Sequence, residues 1–337
     1  MRWAAFVGIV FVMGACATVE PLAPDPYLTA DAKPTKHTEA PAVAAVGDEI
    51  VVCGERFKVG TPVVLWTDPG GYSAYDVNVQ EGTDPAYRDE ESGRRYRPGR
   101  RAQEIQGTQP VSGLSENVED LAQAVDQFVV HFDVCGISRN CFKVLHHYRG
   151  LSVHFMLDID GTIYQTLDLR ETTWHATKAN DRSIGIEIAQ IGAYLPSKLQ
   201  PLAEWYSEDE GGTYIDIPER YGDGGVRTQP FRGRPARLGM LEGRINGSRL
   251  LQYDFTPEQY AALEKLLTTL VDVLPRIELR VPRDGAGEVL ANQMSEPEFE
   301  AFSGILGHYH VQENKTDPGP AFDWERLMRG LQLRLLQ

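Results

Sequence analysis

The sequence has few basic residues for its length. Its 337 residues include 33 Lys and Arg against 48 Asp and Glu, which gives a formal net charge of −15 at pH 7. A protein that binds nucleic acid needs clustered Lys and Arg to meet the phosphates, and so does one that binds anionic membranes by charge. The composition therefore argues against both kinds of partner, and we interpret the acidity as a feature that favours solubility.

The sequence also lacks an N-terminal apolar run long enough to cross a membrane as a helix. The run at residues 3–13 has eleven residues, whereas a spanning helix needs about 20. Arg2 precedes this run and the small residues Gly14 and Ala15 follow it, which is typical of a secretory signal. We therefore predict that the protein is exported.

The end of this segment, Met13-Gly-Ala-Cys16, resembles a bacterial lipoprotein signal, in which cleavage before a cysteine leaves that cysteine to be lipidated. The resemblance implies a signal peptide at residues 1–15 and a lipid anchor on Cys16, with plain secretion and cleavage nearby as the alternative. Because Ala17 rather than an acidic residue follows the cysteine, the resemblance implies the outer membrane of the bacterial cell envelope, with the protein facing the periplasm.

Cysteine is scarce, since beyond Cys16 the chain has only Cys53, Cys135 and Cys141. An exported protein reaches an oxidising compartment, where disulfides persist. Only five residues separate Cys135 from Cys141, so a local disulfide between them is feasible. Cys53 is left over, and we predict that it is a buried thiol.

Composition divides the remaining chain into three parts. Residues 16–47 carry five prolines and many Ala and Thr, which predicts a tether with a reach of about 30 Å. Residues 48–115 contain short apolar runs broken by turns and then an Arg-rich polar stretch, which predicts an extension of strands and loops. Residues 116–337 form the main domain, interrupted at 193–253 by a Gly-, Arg- and Tyr-rich insertion of loops and short strands.

The main domain alternates strands with helices. Residues 128–132 and 183–189 are apolar runs typical of strands, and Asp160-Gly161 between two further runs indicates a hairpin turn. A capping-box pattern at Thr256 predicts the start of a long helix. Strands interleaved with helices predict an α/β fold.

Residues suited to metal chemistry lie at three widely separated places. His131 ends one predicted strand, and Glu187 projects from another on the face opposite its isoleucines. His308, Lys315 and Asp317 share one loop, which the following Pro-Gly-Pro stiffens. A His near an Asp is more often an ordinary surface pair, so the hypothesis of a metal site depends on the three places meeting.

Two histidines and a carboxylate suit zinc, and three protein ligands leave a fourth position for water, as in catalytic zinc sites. At such a site Glu187 could take a proton from the attacking water as general base. Lys315 could neutralise the oxyanion that forms when an amide carbonyl is attacked.

A family resemblance rests on these same residues and their neighbours. The motifs that carry it are, in order, Val-Val-His131, Ser152-Val-His-Phe, Asp160-Gly-Thr-Ile-Tyr-Gln165, Trp174-His-Ala176, Asn180-Asp-Arg-Ser-Ile-Gly-Ile-Glu187, Gly307-His308 and Lys315-Thr-Asp-Pro-Gly-Pro-Ala-Phe-Asp-Trp324. With them the chain resembles the zinc-dependent N-acetylmuramoyl-L-alanine amidases (type 2 amidases) that share the peptidoglycan-recognition-protein fold. That fold implies a mixed central β-sheet flanked by helices, to which the loop-rich insertion is added.

The resemblance implies hydrolysis of the amide bond between N-acetylmuramic acid and L-alanine in peptidoglycan or muropeptides, with Zn²⁺ as cofactor. It places the metal ligands on His131, His308 and Asp317, and the catalytic pair on Glu187 and Lys315. Residues 116–337 would accordingly be a zinc amidase domain.

The resemblance also implies roles for residues around this set. Trp174, His175 and Asn180 would line the substrate; for His175 a structural role is equally open, and metal ligation is the alternative to both. The spacing of Cys135 and Cys141 is similar to the local disulfide of the recognition proteins.

Three alternatives remain open at this point. The spacing from His308 to Asp317 is about one residue shorter than in bacterial relatives, which leaves His310 as a rival ligand. A non-catalytic peptidoglycan-binding protein would be expected to have lost a ligand or the catalytic pair, whereas this chain keeps all five residues. A zinc amidohydrolase or peptidase that cuts another bond would keep them too.

Overall fold

The computed structural model describes residues 46–76, 95–100 and 116–336. The predicted signal peptide, Cys16 and nearly all of the predicted tether lie outside the described residues. The described strands are β1 (Gly47–Val52), β2 (Glu55–Leu65), β3 (Tyr96–Arg97), β4 (Gln127–Phe132), β5 (Phe155–Leu157), β6 (Ile163–Gln165), β7 (Thr172–Thr173), β8 (Ser183–Ile188), β9 (Tyr206–Asp209), β10 (Gly212–Ile215), β11 (Met240–Ile245), β12 (Ser248–Tyr253) and β13 (Gly304–Gly307). The helices are α1 (Val118–Ala124), α2 (Ser138–Phe142), α3 (Gln200–Trp205), α4 (Pro257–Val273), α5 (Glu296–Ala301), α6 (His308–Val311) and α7 (Trp324–Arg334), with a π-helical segment at Lys143–Tyr148 and 3₁₀ turns at Thr177–Ala179 and Glu219–Tyr221.

A mixed sheet lies at the centre of the domain. In the part of the chain that the structure describes it has seven strands, in the order β1-β2-β6-β5-β8-β4-β13. The β5, β8, β4 and β13 strands run parallel, β2 is parallel to β6, and the β1–β2 and β5–β6 pairs are antiparallel. The predicted α/β class with a mixed central sheet flanked by helices is confirmed.

The two faces of the sheet pack against different helices. Ile184, Ile186 and Ile188 of β8 are buried in the main core together with the apolar face of α4. On the opposite face Val129 of β4 packs against a smaller cluster that includes Phe299 of α5. Strands buried on both faces read as nearly continuous apolar runs, which is why β4 and β8 could be recognised in the sequence.

Residues 47–65 belong to this same sheet. The sequence predicted short strands broken by turns, but β2 continues through Gly60 and Pro62 for eleven residues. It pairs with β6, and the Gln165 side chain donates to Val51 O at 2.7 Å and accepts from Val51 N at 2.8 Å. The strand part of the predicted 48–115 extension therefore completes the central sheet.

Local sequence signals place the long helices correctly. Both hydrogen bonds of the Thr256–Gln259 capping box are present at the start of α4, and Asp323 caps α7 by accepting from Arg326 N at 2.9 Å. The predicted terminal loop, in contrast, begins with one helical turn, α6. No helix among the described residues is both long and apolar enough to span a membrane.

Candidate metal centre

Two neighbouring strands bring the first part of the site together. The β4 and β8 strands are parallel, with His131 in register with Glu187, so both side chains lie on the same face of the sheet. This is the face opposite the three isoleucines of β8, as the sequence predicted. His131 is almost fully buried, whereas Glu187 is partly exposed.

A third parallel strand, β13, leads into the other two candidate ligands, His308 and Asp317. Because β13 pairs in parallel with β4, the residue that follows it, His308, emerges at the same edge of the sheet as His131. The chain then returns so that Tyr309 N donates to Asp317 O at 3.1 Å. Gly307 permits this close return, since a Cβ there would lie 2.7 Å from Pro318 Cδ.

Three side chains converge at one point. His131 Nδ1 lies 2.8 Å and His308 Nδ1 3.0 Å from the same oxygen, Asp317 Oδ2. The three potential ligand atoms all lie within 4.8 Å of one another, and all three residues are buried. This is the set that the sequence singled out.

The outer nitrogens of both imidazoles are held by neighbours. His308 Nε2 lies 2.8 Å from Gln312 Oε1, so a metal-bound His308 would donate from Nε2 to this oxygen and offer Nδ1 to the metal. His131 Nε2 lies 2.9 Å from His175 Nδ1, to which it would donate in the same way, leaving its own Nδ1 for the metal. Outer partners of this kind fix the tautomer and the ring orientation of metal-binding histidines.

The pKa shifts of His131 and Asp317 fit a site for a cation. Burial, assisted by the nearby His308, lowers the pKa of His131 to about 4. Burial raises the pKa of Asp317, but the charge of His308 and the hydrogen bonds from both histidines outweigh it and hold that pKa well below its usual range. A neutral imidazole beside an ionised carboxylate is what metal coordination requires.

Glu187 lies next to the three ligand side chains without belonging to them. Its Oε2 is buried and has no hydrogen-bond partner among the described residues. Burial raises the pKa of Glu187 well above its usual range, the charges of Asp317 and Asp133 raise it further, and Arg149 and Lys315 act in the opposite direction. An unpartnered carboxylate oxygen beside a metal site is suited to exchanging a proton with a bound molecule.

Lys315 is the other predicted catalytic residue, and it is partly buried. Its positive charge is close enough to act on both His131 and Glu187. Its backbone carbonyl accepts from Asn246 Nδ2 at 2.9 Å, so the insertion contacts this loop directly.

Two of the residues predicted to line the substrate, Asn180 and His175, contact the backbone and side chains around the site. Asn180 Oδ1 accepts from the backbone nitrogens of His175 and Ala176, at 3.1 and 2.7 Å. The His175 ring packs over Gly185, where a Cβ would lie 2.6 Å from the ring, and its Nε2 lies 3.2 Å from Ser183 Oγ. These contacts give Asn180 and His175 positioning roles, and substrate contact stays a prediction for both.

Other residues of these motifs have separate places. Trp174 is partly exposed and its backbone nitrogen donates to Ser152 Oγ at 3.2 Å, so its substrate role also stays a prediction. His154 is fully buried, and its Nδ1 accepts from Gly185 N at 3.1 Å. Gln312 was missed by sequence reasoning, although its position four residues after His308 places it on the same side of a helical turn.

His310, the rival ligand, does not point into the site. Its Nδ1 accepts from Gly307 N at 2.8 Å, and its Nε2 donates to Leu290 O at 2.7 Å. With both ring nitrogens engaged by backbone, His310 braces the junction between β13 and α6.

The cysteines do not form the anticipated bridge in this structure. Cys135 and Cys141 are free thiols in hydrogen-bond contact with each other, so the disulfide stays a prediction. Cys53 is also a thiol, but it is only partly buried, since it lies in the β1–β2 turn with a φ of 51°. Burial still raises its pKa to about 12.

The chain is similar over part of its length to several solved structures. LysC of Clostridium intestinale URNW is 15% identical, with 63% of this chain and 88% of that chain covered and a TM-score of 0.31. A selenomethionine derivative of AmpD is 20% identical (62% and 86% covered, TM-score 0.31). The E. coli amidase AmiD, in complex with anhydro-N-acetylmuramic acid-L-Ala-D-γ-Glu-L-Lys, is 16% identical (68% and 60% covered, TM-score 0.33).

The family profile gives the decisive match. No curated protein matches the chain as a whole sequence. The profile described as N-acetylmuramoyl-L-alanine amidase (Amidase_2) matches residues 121–320, which is more than half of the chain and includes all five predicted ligand and catalytic residues. The chain therefore belongs to the N-acetylmuramoyl-L-alanine amidase family and is an enzyme that hydrolyses an amide of peptidoglycan.

Proposed function

We propose that this amidase uses a zinc ion, held by His131, His308 and Asp317, to cleave the bond between N-acetylmuramic acid and L-alanine in peptidoglycan or muropeptides. The observation that carries the proposal is the convergence of two imidazole Nδ1 atoms on one carboxylate oxygen, at 2.8 and 3.0 Å. Nitrogen and oxygen ligands suit zinc, and a set of three leaves one position open for water or substrate.

A zinc ion at this site would supply a Lewis acid and a water whose pKa is lowered towards about 7. Glu187 is the residue placed to receive the proton of the attacking water, because its unpartnered Oε2 lies on the His131 face of the sheet. The same carboxyl group can then return the proton to the departing amine, so that acid and base work fall to one residue.

Lys315 would complete the chemistry. Attack on the amide carbonyl places negative charge on its oxygen, and a nearby ammonium group stabilises that charge. The position of Lys315, whose charge is felt at both His131 and Glu187, supports this assignment. Neither Lys315 nor Glu187 is needed to hold the metal.

The ligand assignment is tested by metal content. Purified protein should carry about one zinc, and His131→Ala or His308→Ala should lose both zinc and amidase activity because each removes one of three ligands. His310→Gln is the matched control, and it should keep its zinc because both ring nitrogens of His310 bond to backbone groups and not to the candidate ligands. Full zinc in His308→Ala with loss in His310→Gln would reverse the assignment.

The bond that is cut is tested by mass spectrometry of the products from purified muropeptides. The proposal predicts release of an intact stem peptide with a free L-alanine amino terminus, and none with the His131→Ala variant. Cleavage at a different amide would make the protein a zinc amidohydrolase or peptidase of another specificity.

We further propose that the enzyme is a lipoprotein, anchored through Cys16 to the outer membrane and facing the periplasm. Support comes from the sequence of the N-terminal segment, with its short apolar run and the small residues before Cys16. Residues 16–47 would act as the tether that lets the catalytic domain reach peptidoglycan.

A further inference from the structure

The insertion at residues 193–253 returns to the catalytic loop through its last hairpin. The β11 and β12 strands pair from Met240↔Tyr253 to Ile245↔Ser248, and Asn246-Gly247 make the turn. Asn246 has a φ of 46° and Gly247 a φ of 77°. Two successive residues with positive φ define a type I′ turn, for which Asn-Gly is the preferred sequence.

The side chain of Asn246 is fully used by neighbouring backbone. Its Nδ2 lies 2.9 Å from the carbonyl oxygen of Lys315 and 3.3 Å from those of Tyr309 and Gln312. Its Oδ1 accepts from Gln293 N at 2.7 Å. One amide group thus joins the end of α6 to the residue that carries the predicted catalytic ammonium.

Two of these three carbonyls, those of Tyr309 and Lys315, accept no hydrogen bond from their own segment among the described residues. The α6 helix is only four residues long, so its last carbonyls have no later turn of helix to bond with. Within the segment, Lys315 N donates to Gln312 O at 3.2 Å, and Tyr309 N donates to Asp317 O at 3.1 Å. The hairpin turn supplies the missing donor.

The hairpin also contacts the residues that follow Asp317 in the chain. Gln252, on β12, is fully buried; its Nε2 donates to Pro318 O at 3.0 Å and its Oε1 accepts from Ala321 N at 2.9 Å. Gly243, on β11, packs against Pro320, so closely that a Cβ there would lie 2.6 Å from the proline Cβ. The hairpin therefore contacts the chain both before and after Asp317.

We propose that the β11–β12 hairpin is a clamp for the catalytic loop, with Asn246 and Gln252 as positioning residues that set where Lys315 and Asp317 lie. This proposal rests on the functions proposed above for Lys315 in catalysis and Asp317 in metal binding. Neither clamp residue acts on substrate; both act through the backbone of the loop. If the loop is already ordered before zinc and substrate bind, the entropy cost of ordering it does not reduce their binding free energy. This favours both metal binding and catalysis.

The experiment compares three variants of the full-length protein. Asn246→Gly keeps the left-handed turn and removes the side chain, whereas Asn246→Asp keeps the acceptor for Gln293 N and loses the donor to the three carbonyls. Arg249→Ala is the matched control, because Arg249 lies exposed on the same hairpin and pairs with Glu242 across it, at 2.7 and 2.8 Å.

Three measurements separate a clamp from a residue that only stabilises the fold. Competition with a zinc chelator should show zinc binding weakened by about 10- to 100-fold in both Asn246 variants, as for outer partners of metal ligands. Steady-state kinetics at saturating zinc should show a lower kcat with little change in KM. Hydrogen exchange at residues 309–318 should accelerate, while exchange in β4 and β8 stays at the wild-type rate.

Arg249→Ala should match the wild type in all three measurements. Wild-type zinc affinity, kcat and loop exchange in folded Asn246→Gly and Asn246→Asp would overturn the clamp. So would accelerated exchange spread evenly over the whole domain, because the turn would then act on global stability alone. A wild-type protein that binds no zinc would overturn the proposed function instead, and the exchange comparison, which needs no metal, would still decide on the clamp.

Discussion

At the scale of single residues, Glu187 has the surroundings most relevant to catalysis. It combines a buried, unpartnered oxygen with a position in register with His131 on the neighbouring strand. Burial and the negative charges of Asp317 and Asp133 raise its pKa, because each of them disfavours the ionised form. A general base must be ionised to work, so the pH at which Glu187 ionises should be visible in the rate.

Replacing Glu187 by Gln should lower kcat by about 10² to 10⁴ while zinc content stays unchanged. The wild-type enzyme should lose activity on acidification, at a pH above the usual range of a Glu because the pKa is raised, and this acid limb should flatten in Glu187→Gln. The measurement is kcat against pH for both proteins, with the exposed Glu210→Gln as control. A zinc-loaded Glu187→Gln enzyme with wild-type kcat would remove Glu187 from the mechanism.

Asp158 allows a separate prediction about stability. It is fully buried, its Oδ1 accepts from Ile159 N at 2.9 Å and Ser138 N at 3.3 Å, and its Oδ2 has no partner among the described residues. Burial, together with the charge of Asp160, raises its pKa from 3.8 to about 7. The folded state therefore binds a proton more tightly than the unfolded state does.

The sign of the pH dependence follows from that difference. The stability that Asp158 contributes is present below its unfolded pKa and is lost as the pH rises through about 7. Asp158→Asn, which cannot ionise, should be more stable than the wild type at pH 8, by on the order of a few kcal/mol, and should gain much less at pH 4. Urea unfolding at both pH values measures this, with the exposed Asp272→Asn as control. An equal change at both pH values would contradict it.

At the scale of secondary-structure elements, the β1–β2 pair contributes buried residues to the main core of the domain. Its buried residues Ile50, Val52, Val63 and Leu65 belong to the same core as α4. Burial of one such side chain stabilises a protein by about 1.5 to 3 kcal/mol, so the four together match a typical total stability of about 5 to 15 kcal/mol. Residues 116–337 alone should therefore fail to fold stably.

Two shortened proteins test this. One that begins at Val46 keeps both strands and should unfold at the same temperature as the full chain. One that begins at Glu116 loses β1 and β2 and should be insoluble or lack a cooperative transition by circular dichroism. If the shorter protein unfolded at the wild-type temperature, the two strands would be a dispensable addition to the sheet.

At the scale of the whole molecule, the predicted anchor determines where the enzyme works. If Cys16 is lipidated, the protein should partition with membranes and carry a diacylglyceryl mass on its first mature residue. Cys16→Ser should appear in the soluble fraction with unchanged specific activity, because Cys16 lies far in sequence from the catalytic residues. A Cys16→Ser protein found in the same membrane fraction, with the same processing, would contradict lipidation.

The sequence by itself determined the local features of this protein. The strands β4 and β8, the capping box of α4 and the alternation along β8 all follow from neighbouring residues, which is why their patterns could be read directly. The candidate ligand and catalytic residues could be proposed from sequence because five chemically distinctive side chains lie within motifs that resemble those of one family, and the family match covers all five.

Only the tertiary structure decided how distant segments meet. The sequence left His310 as a rival to His308, and their separation into a candidate ligand and a brace depends on which groups each ring reaches after the chain folds. The pairing of β2 with β6 joins residues far apart in the chain, and so does the hydrogen bond from Asn246 Nδ2 to Lys315 O. Such contacts leave no periodic signal, because the free energy that selects them comes from packing and hydrogen bonding across the whole domain.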